Sequence, residues 1–147
     1  MMALIHATCV VVHGMAVLLV GPSGSGKSDL GLRLIDGGGL LVADDQVEIT
    51  VHDDVLVAIP PPTLAGLIEV RGVGLMRVAH AGRAPVGAAF ELGPAAPERM
   101  PGAGVLALEG RKVPLFRLDP FQASAAARVR LTAAGLRHGT IAAGSGR

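Results

Sequence analysis

Gly21-Pro22-Ser23-Gly24-Ser25-Gly26-Lys27-Ser28 reads GPSGSGKS, a full GxxxxGK[ST] pattern, with the apolar run Met15 to Val20 before it and the helix-compatible Asp29 to Ile35 after it. That order predicts a strand, an anion-binding turn and a helix. The glycines let the chain curl until successive backbone N–H groups point at one anion, the helix start adds the positive end of its dipole, and Lys27 brings a full charge. Ser28 adds a hydroxyl of the kind that ligates Mg²⁺. A plain glycine-rich turn would leave Lys27 and Ser28 unexplained. The stretch is therefore read as a site for the phosphates of a nucleoside triphosphate, with Mg²⁺ beside it.

Working outward, Thr8 to Val12 and Met15 to Val20 are β-rich runs around His13-Gly14, a two-strand pattern with a tight turn. His6 lies two residues before the first of these strands. Ser28 to Asp36 carries Leu30, Leu32, Leu34 and Ile35, a short helix stopped by Gly37, Gly38 and Gly39. Leu40 to Ala43 is a short apolar strand ending in Asp44-Asp45. Val47 to Val51 and Val55 to Ile59 flank His52, Asp53 and Asp54 as a hairpin, which Pro60, Pro61 and Pro62 terminate. Leu67 to Val70, Leu75 to Val78, Val86 to Leu92, Val105 to Leu108 and Val113 to Leu118 read as further strands, and Gly93 to Gly104 as a loop. Ala123 to Leu136 has the alanine content of a helix. The pattern predicts an α/β domain in which a nucleotide-binding core sits on a strand-rich scaffold. One domain over residues 1–137 is expected, with 138–147 as a fraying tail.

Composition narrows the function. The chain has 147 residues, half of them apolar, enough for one sizeable core. A formal charge of +1 and three phenylalanines as the whole aromatic complement argue against nucleic acid as a partner. Ala7 to Val20 is too short, and too interrupted by His13 and Gly14, to span a membrane, and no charged segment marks it as a signal peptide. A lone Cys9 fits a reducing, cytoplasmic setting and reads as a small buried residue.

Phosphoryl transfer needs a clamp on the phosphates, a metal ligand beyond the loop hydroxyl, a group that deprotonates the acceptor, and a cation. Asp44 and Asp45 end an apolar strand, the place from which phosphate-loop proteins supply a carboxylate to the metal; the alternative is a turn opening a hairpin. Like charges that close raise the proton affinity of one member, which suits a base. Glu69 falls inside an apolar strand pattern, so Arg71 or a metal would partner it if buried; on a half-exposed strand it would face solvent. His6 and Arg99 are anonymous by spacing alone.

Taken together, His6, the GPSGSGKS loop, Val42-Ala43-Asp44-Asp45-Gln46-Val47-Glu48-Ile49 and Leu67-Ile68-Glu69-Val70-Arg71-Gly72-Val73-Gly74-Leu75 resemble the catalytic domain of the HPr kinase/phosphorylase family. The resemblance implies a phosphate-loop kinase core of the HPr kinase C-terminal-domain type. It also implies an ATP- and Mg²⁺-dependent protein serine kinase that phosphorylates a small phosphocarrier protein, HPr or its nitrogen-related counterpart. By the same resemblance His6 is an active-site histidine, Lys27 clamps phosphates, Ser28 and Glu69 ligate Mg²⁺, and one of the paired aspartates exchanges the serine proton. Asp45 is favoured for that role and Asp44 for the metal, with the reverse order left open. Arg71 to Met76, including Gly72, Val73 and Gly74, match a segment needed in both reaction directions, and Arg99 matches a catalytic arginine. The family's hexamers imply a homo-oligomer.

Two departures carry expectations. Only five residues precede His6, where family members commonly carry another domain, so a short form is expected. The stretch Asp119-Pro120-Phe121-Gln122-Ala123-Ser124-Ala125 lacks the lysines or arginines that would hold an attacking phosphate in the reverse, phosphorylase reaction, which is expected to be weak or lost. A competing reading is a nucleotide-sensing module that binds ATP and a partner without transfer. A small-molecule kinase fits less well, because no helical insertion is present to cover the acceptor.

Overall fold

Strands whose residues are apolar on both faces need cover on both, and a curled sheet with helices on one side supplies it. The computed structural model describes residues 2–94 and 104–138. The chain opens with Met2–His6 (β1), Thr8–Val12 (β2) and Met15–Val20 (β3), passes through the glycine-rich loop into the helix Lys27–Asp36 (α1), and continues with Leu40–Ala43 (β4). Gln46–His52 (β5) and Val55–Ile59 (β6) follow, then a short 3₁₀ turn at Pro62–Leu64 and the hairpin Leu67–Val70 (β7) and Gly74–Arg77 (β8). Ala84–Leu92 (β9), Gly104–Leu108 (β10), Arg111–Leu118 (β11) and the helix Ala125–His138 (α2) complete it.

Among the described residues, nine strands form one sheet. Along the main path they run β1-β5-β6-β9-β3-β2-β4, and β11 adds to β9 with β10 beyond it. The pairs β3–β9 and β9–β11 are parallel; every other pair in this sheet is antiparallel. β9 links the two halves because it is long: Ala84 and Pro85 pair with β6, whereas Val86 to Glu91 pair with β3 and Ala89 to Leu92 with β11. β7 and β8 form a separate two-stranded sheet.

Alternation along the strands divides the core in two. Val10, Val12, Val17, Leu19, Ala88 and Phe90 pack with Leu30 and Leu34 of α1 and with Ala125, Val129 and Ala133 of α2. Cys9, Ala16, Leu18 and Ala89 face the other way, onto Val47, Ile49, Leu56 and Ala58 from the opposite half of the curled sheet. The two-residue connections His13-Gly14, Asp53-Asp54 and Glu109-Gly110 all have both φ values positive, as turns that match strand twist require.

The expected elements stand at or within two residues of their sequence positions, with two corrections. Residues Met2–His6 form a strand, so His6 ends β1 rather than preceding the first strand. Its alternating exposure, with no fully buried residue, made it hard to distinguish from a leading coil. The last helix runs through His138, so the expected tail does not start there, and residues 139–147 lie outside the described ones. No helix among the described residues is long and apolar enough to cross a membrane.

Candidate active site

Strand directions decide which residues meet. β4 and β3 both pair antiparallel with β2, so they run the same way and their carboxyl ends share one edge of the sheet. Thr8, which pairs with Leu19, begins β2 at that same edge. The loop leaving β3 and the aspartates leaving β4 are thereby brought together, where ligands collect in α/β sheets.

The loop closes with Ser25 N donating to Pro22 O at 3.1 Å, and Gly21, Gly24 and Gly26 have φ of 152°, 81° and 97°. Gly26 caps α1 in the left-handed conformation without a side-chain cap, and Leu30 N makes the first helical bond back to Gly26 O at 3.0 Å. The N–H groups of Lys27, Ser28 and Asp29 therefore have no acceptor within the helix and are available to an anion. Lys27 is buried to 7% exposure, and its Nζ donates to Gly21 O at 2.8 Å and Pro22 O at 3.0 Å. Ser25 Oγ is buried without a hydrogen-bond partner among the described residues. A turn with free helix-start donors, a cation folded onto its own carbonyls and an orphaned hydroxyl fits a phosphate group.

Asp44 is the hub. Its Oδ1 accepts from Ser28 Oγ at 2.7 Å and from Thr8 Oγ1 at 2.9 Å, and its Oδ2 lies 3.5 Å from Glu69 N. Asp45 has φ of 73°, a left-handed conformation that an aspartate tolerates better than most residues, and its carbonyl accepts from Ala7 N at 3.1 Å. The β1–β5 pairing, in which His6 stands opposite Gln46, then sets His6 Nδ1 3.4 Å from Asp45 Oδ1. Both side chains are open to solvent.

The structure thus brings His6, Lys27, Ser28, Asp44 and Asp45 to one edge, with the backbone of Glu69 beside Asp44. The Glu69 side chain faces solvent and forms no ion pair with Arg71. Burial of Ile68 anchors β7 while Arg71, Gly72, Val73 and Gly74 project as an exposed tip. No group of three or more histidine, cysteine or acidic side chains among the described residues is arranged as a metal cage. Ser28 with Asp44 suits Mg²⁺ nonetheless, since that ion takes few protein ligands and keeps phosphate oxygens and waters. Arg99 lies outside the described residues. Sequence reasoning missed Thr8 as a partner of Asp44; a polar residue heading an otherwise apolar strand was the available signal.

A phosphate loop at the carboxyl end of β3, faced by an aspartate pair at the end of β4 on the far side of β2, defines a phosphate-loop α/β domain. The chain belongs to the HPr Serine kinase C-terminal domain family, which matches residues 1–85, more than half its length. Over 75 residues, 50% of this chain, it is 47% identical to the HPr kinase/phosphorylase of Shouchella clausii and to that of Peptoclostridium acidaminophilum. The chain spans about a quarter of the length of these relatives, the match covering 24% of each. The fold is similar to that of the HPr(Ser) kinase/phosphatase from Coxiella burnetii, with a TM-score of 0.83 and 24% identity over 93% of this chain and 97% of that one.

Proposed function

We propose that this domain is an ATP- and Mg²⁺-dependent protein serine kinase acting on a small phosphocarrier protein of the HPr type. The observation that carries the reading is the convergence of Ser28 with Asp44 and of His6 with Asp45 at the mouth of the phosphate loop. Lys27 and the N–H groups at the start of α1 hold the nucleotide phosphates. Ser28, Asp44 and Glu69 would hold Mg²⁺, which when bound neutralises charge on the phosphates. Asp45 takes the proton from the acceptor serine as its oxygen bonds to the γ-phosphorus and the bond to the β-phosphate bridging oxygen breaks. His6 holds the Asp45 carboxylate in place, and Arg99 is the proposed cation for the transferred group.

The carrier is proposed to dock on the β7–β8 tip, where Val73 is 68% exposed and Leu75 is 65% exposed beside the site. The reverse reaction, attack of phosphate on phosphoserine, is proposed to be weak or lost, because Asp119 to Ala125 offers no lysine or arginine and Arg33, which reaches this stretch, is bound to its backbone. A cytoplasmic setting is proposed from the lone Cys9, and a homo-oligomer, as a hexamer, from the family resemblance. Incubation with γ-labelled ATP, Mg²⁺ and purified HPr-type carriers tests the reading: phosphoserine on one carrier is expected. ATP binding without transfer to any carrier would favour the nucleotide-sensing module instead.

A further inference from the structure

Of the three phenylalanines, Phe90 and Phe116 stack on each other with ring centroids 5.5 Å apart, whereas Phe121 is 71% exposed. Phe121 stands in the turn from β11 to α2, and that turn is held at several points. Phe121 N donates to Asp119 Oδ1 at 3.0 Å, and Gln122 N to Asp119 O at 3.4 Å. The Arg33 guanidinium, reaching across from α1, donates to Pro120 O and to Gln122 O. A Cβ placed on Gly26 would lie 3.0 Å from Pro120 Cγ and 3.3 Å from Phe121 Cζ, so the ring tip rests against the last glycine of the phosphate loop. β11 is parallel to β9, and β9 to β3, which puts the Phe121 turn and the loop at the same edge of the sheet.

An exposed aromatic ring on a tethered turn, touching the residue that caps the anion-binding helix, is a surface for a flat apolar group attached to the anion. We propose that Phe121 is the platform on which the purine base of the bound nucleotide stacks, an inference that rests on the nucleotide-binding reading above. Phosphates held at Lys27 to Asp29 leave the base within reach of Gly26, and the bulk of the Phe121 ring is open to it. Stacking is tolerant of base identity, so this contact gives affinity for a nucleoside over bare polyphosphate rather than a choice between adenine and guanine.

Magnesium ATP and magnesium tripolyphosphate separate the two contributions. By calorimetry, Phe121→Ala is expected to weaken ATP binding on the order of tenfold and to leave tripolyphosphate binding unchanged, and Phe121→Leu, which keeps bulk without a π-face, to behave like the alanine variant. The chain has no tryptophan, so Phe121→Trp introduces a single emitter whose fluorescence ATP should quench and tripolyphosphate should not. Unchanged ATP affinity in Phe121→Ala, equal loss for both ligands, or equal response of the tryptophan emission to both overturns the proposal while leaving nucleotide binding standing. Wild-type protein that binds neither ligand overturns the nucleotide-binding reading and this proposal with it.

Discussion

Ser28 donates its hydroxyl to Asp44 Oδ1 at 2.7 Å, tying the first turn of α1 to the end of β4. Thr8, fully buried at the head of β2, donates to the same oxygen. One carboxylate thus joins three segments, and under the proposed function it would also meet the metal. If the proposed function holds, stability and activity depend on the same side chain.

Asp44→Ala should therefore destabilise as well as inactivate. It strands the buried Thr8 hydroxyl, at a cost of about 1–3 kcal/mol, or roughly 3–10 °C in Tm. Asp44→Asn keeps an acceptor oxygen and should melt closer to wild type while losing Mg²⁺-dependent nucleotide affinity. Thermal melts with and without magnesium ATP check both; an alanine variant as stable as wild type would show that the Thr8 bond contributes nothing.

Asp45→Asn separates transfer from binding. Asparagine adopts the left-handed backbone at least as readily as aspartate, so the bend should survive. Phosphorylation of the carrier should fall by about 10²–10⁴-fold, as loss of a general base implies, with ATP affinity kept. Undiminished transfer would move the base role away from Asp45 and reopen the exchange of roles with Asp44.

Lys27→Ala removes the buried ammonium that now binds Gly21 O and Pro22 O. Charge-assisted bonds to phosphate are worth about 1.5–3 kcal/mol, so ATP affinity should drop roughly 10- to 100-fold by calorimetry.

Gly31→Ala reverses the usual helix rule. Alanine normally favours a helix interior by up to about 1 kcal/mol, yet a Cβ at Gly31 would lie 2.8 Å from Thr8 Cγ2 in the packed core. A net loss of about 1–2 kcal/mol is expected in denaturant melts. Adding Thr8→Ser removes the obstructing methyl but keeps the hydroxyl on Asp44, and should restore stability. Failure of that rescue would place the strain elsewhere.

Cys9 should be inert in the folded chain. Its burial is complete, and desolvation pushes the thiol pKa far up. A thiol reagent at mildly alkaline pH should modify it only after denaturation. Because the unfolded thiol ionises near about 8.5 while the folded one stays protonated, the stability this group confers is full below that pH and declines as pH rises above it. Cys9→Ala should flatten that part of the alkaline slope.

The sequence by itself determined the strands around His13-Gly14 and Asp53-Asp54, the glycine-rich loop ending in Lys27 and Ser28, the helix after it and its stop at Gly37. These are local properties, governed by side-chain alternation, turn conformation and the spacing of glycines, so neighbouring residues carry the whole signal. The pairing of β1 with β5 is different, because Met2 to His6 becomes a strand only when β5 offers it an edge, and only then does His6 meet Asp45. The bond from Thr8 to Asp44 and the seating of Phe121 against Gly26 likewise depend on strand direction and on the curl of the sheet. Contacts between distant segments are settled by register and packing of the whole domain, which no window of residues contains; tertiary structure alone decided them.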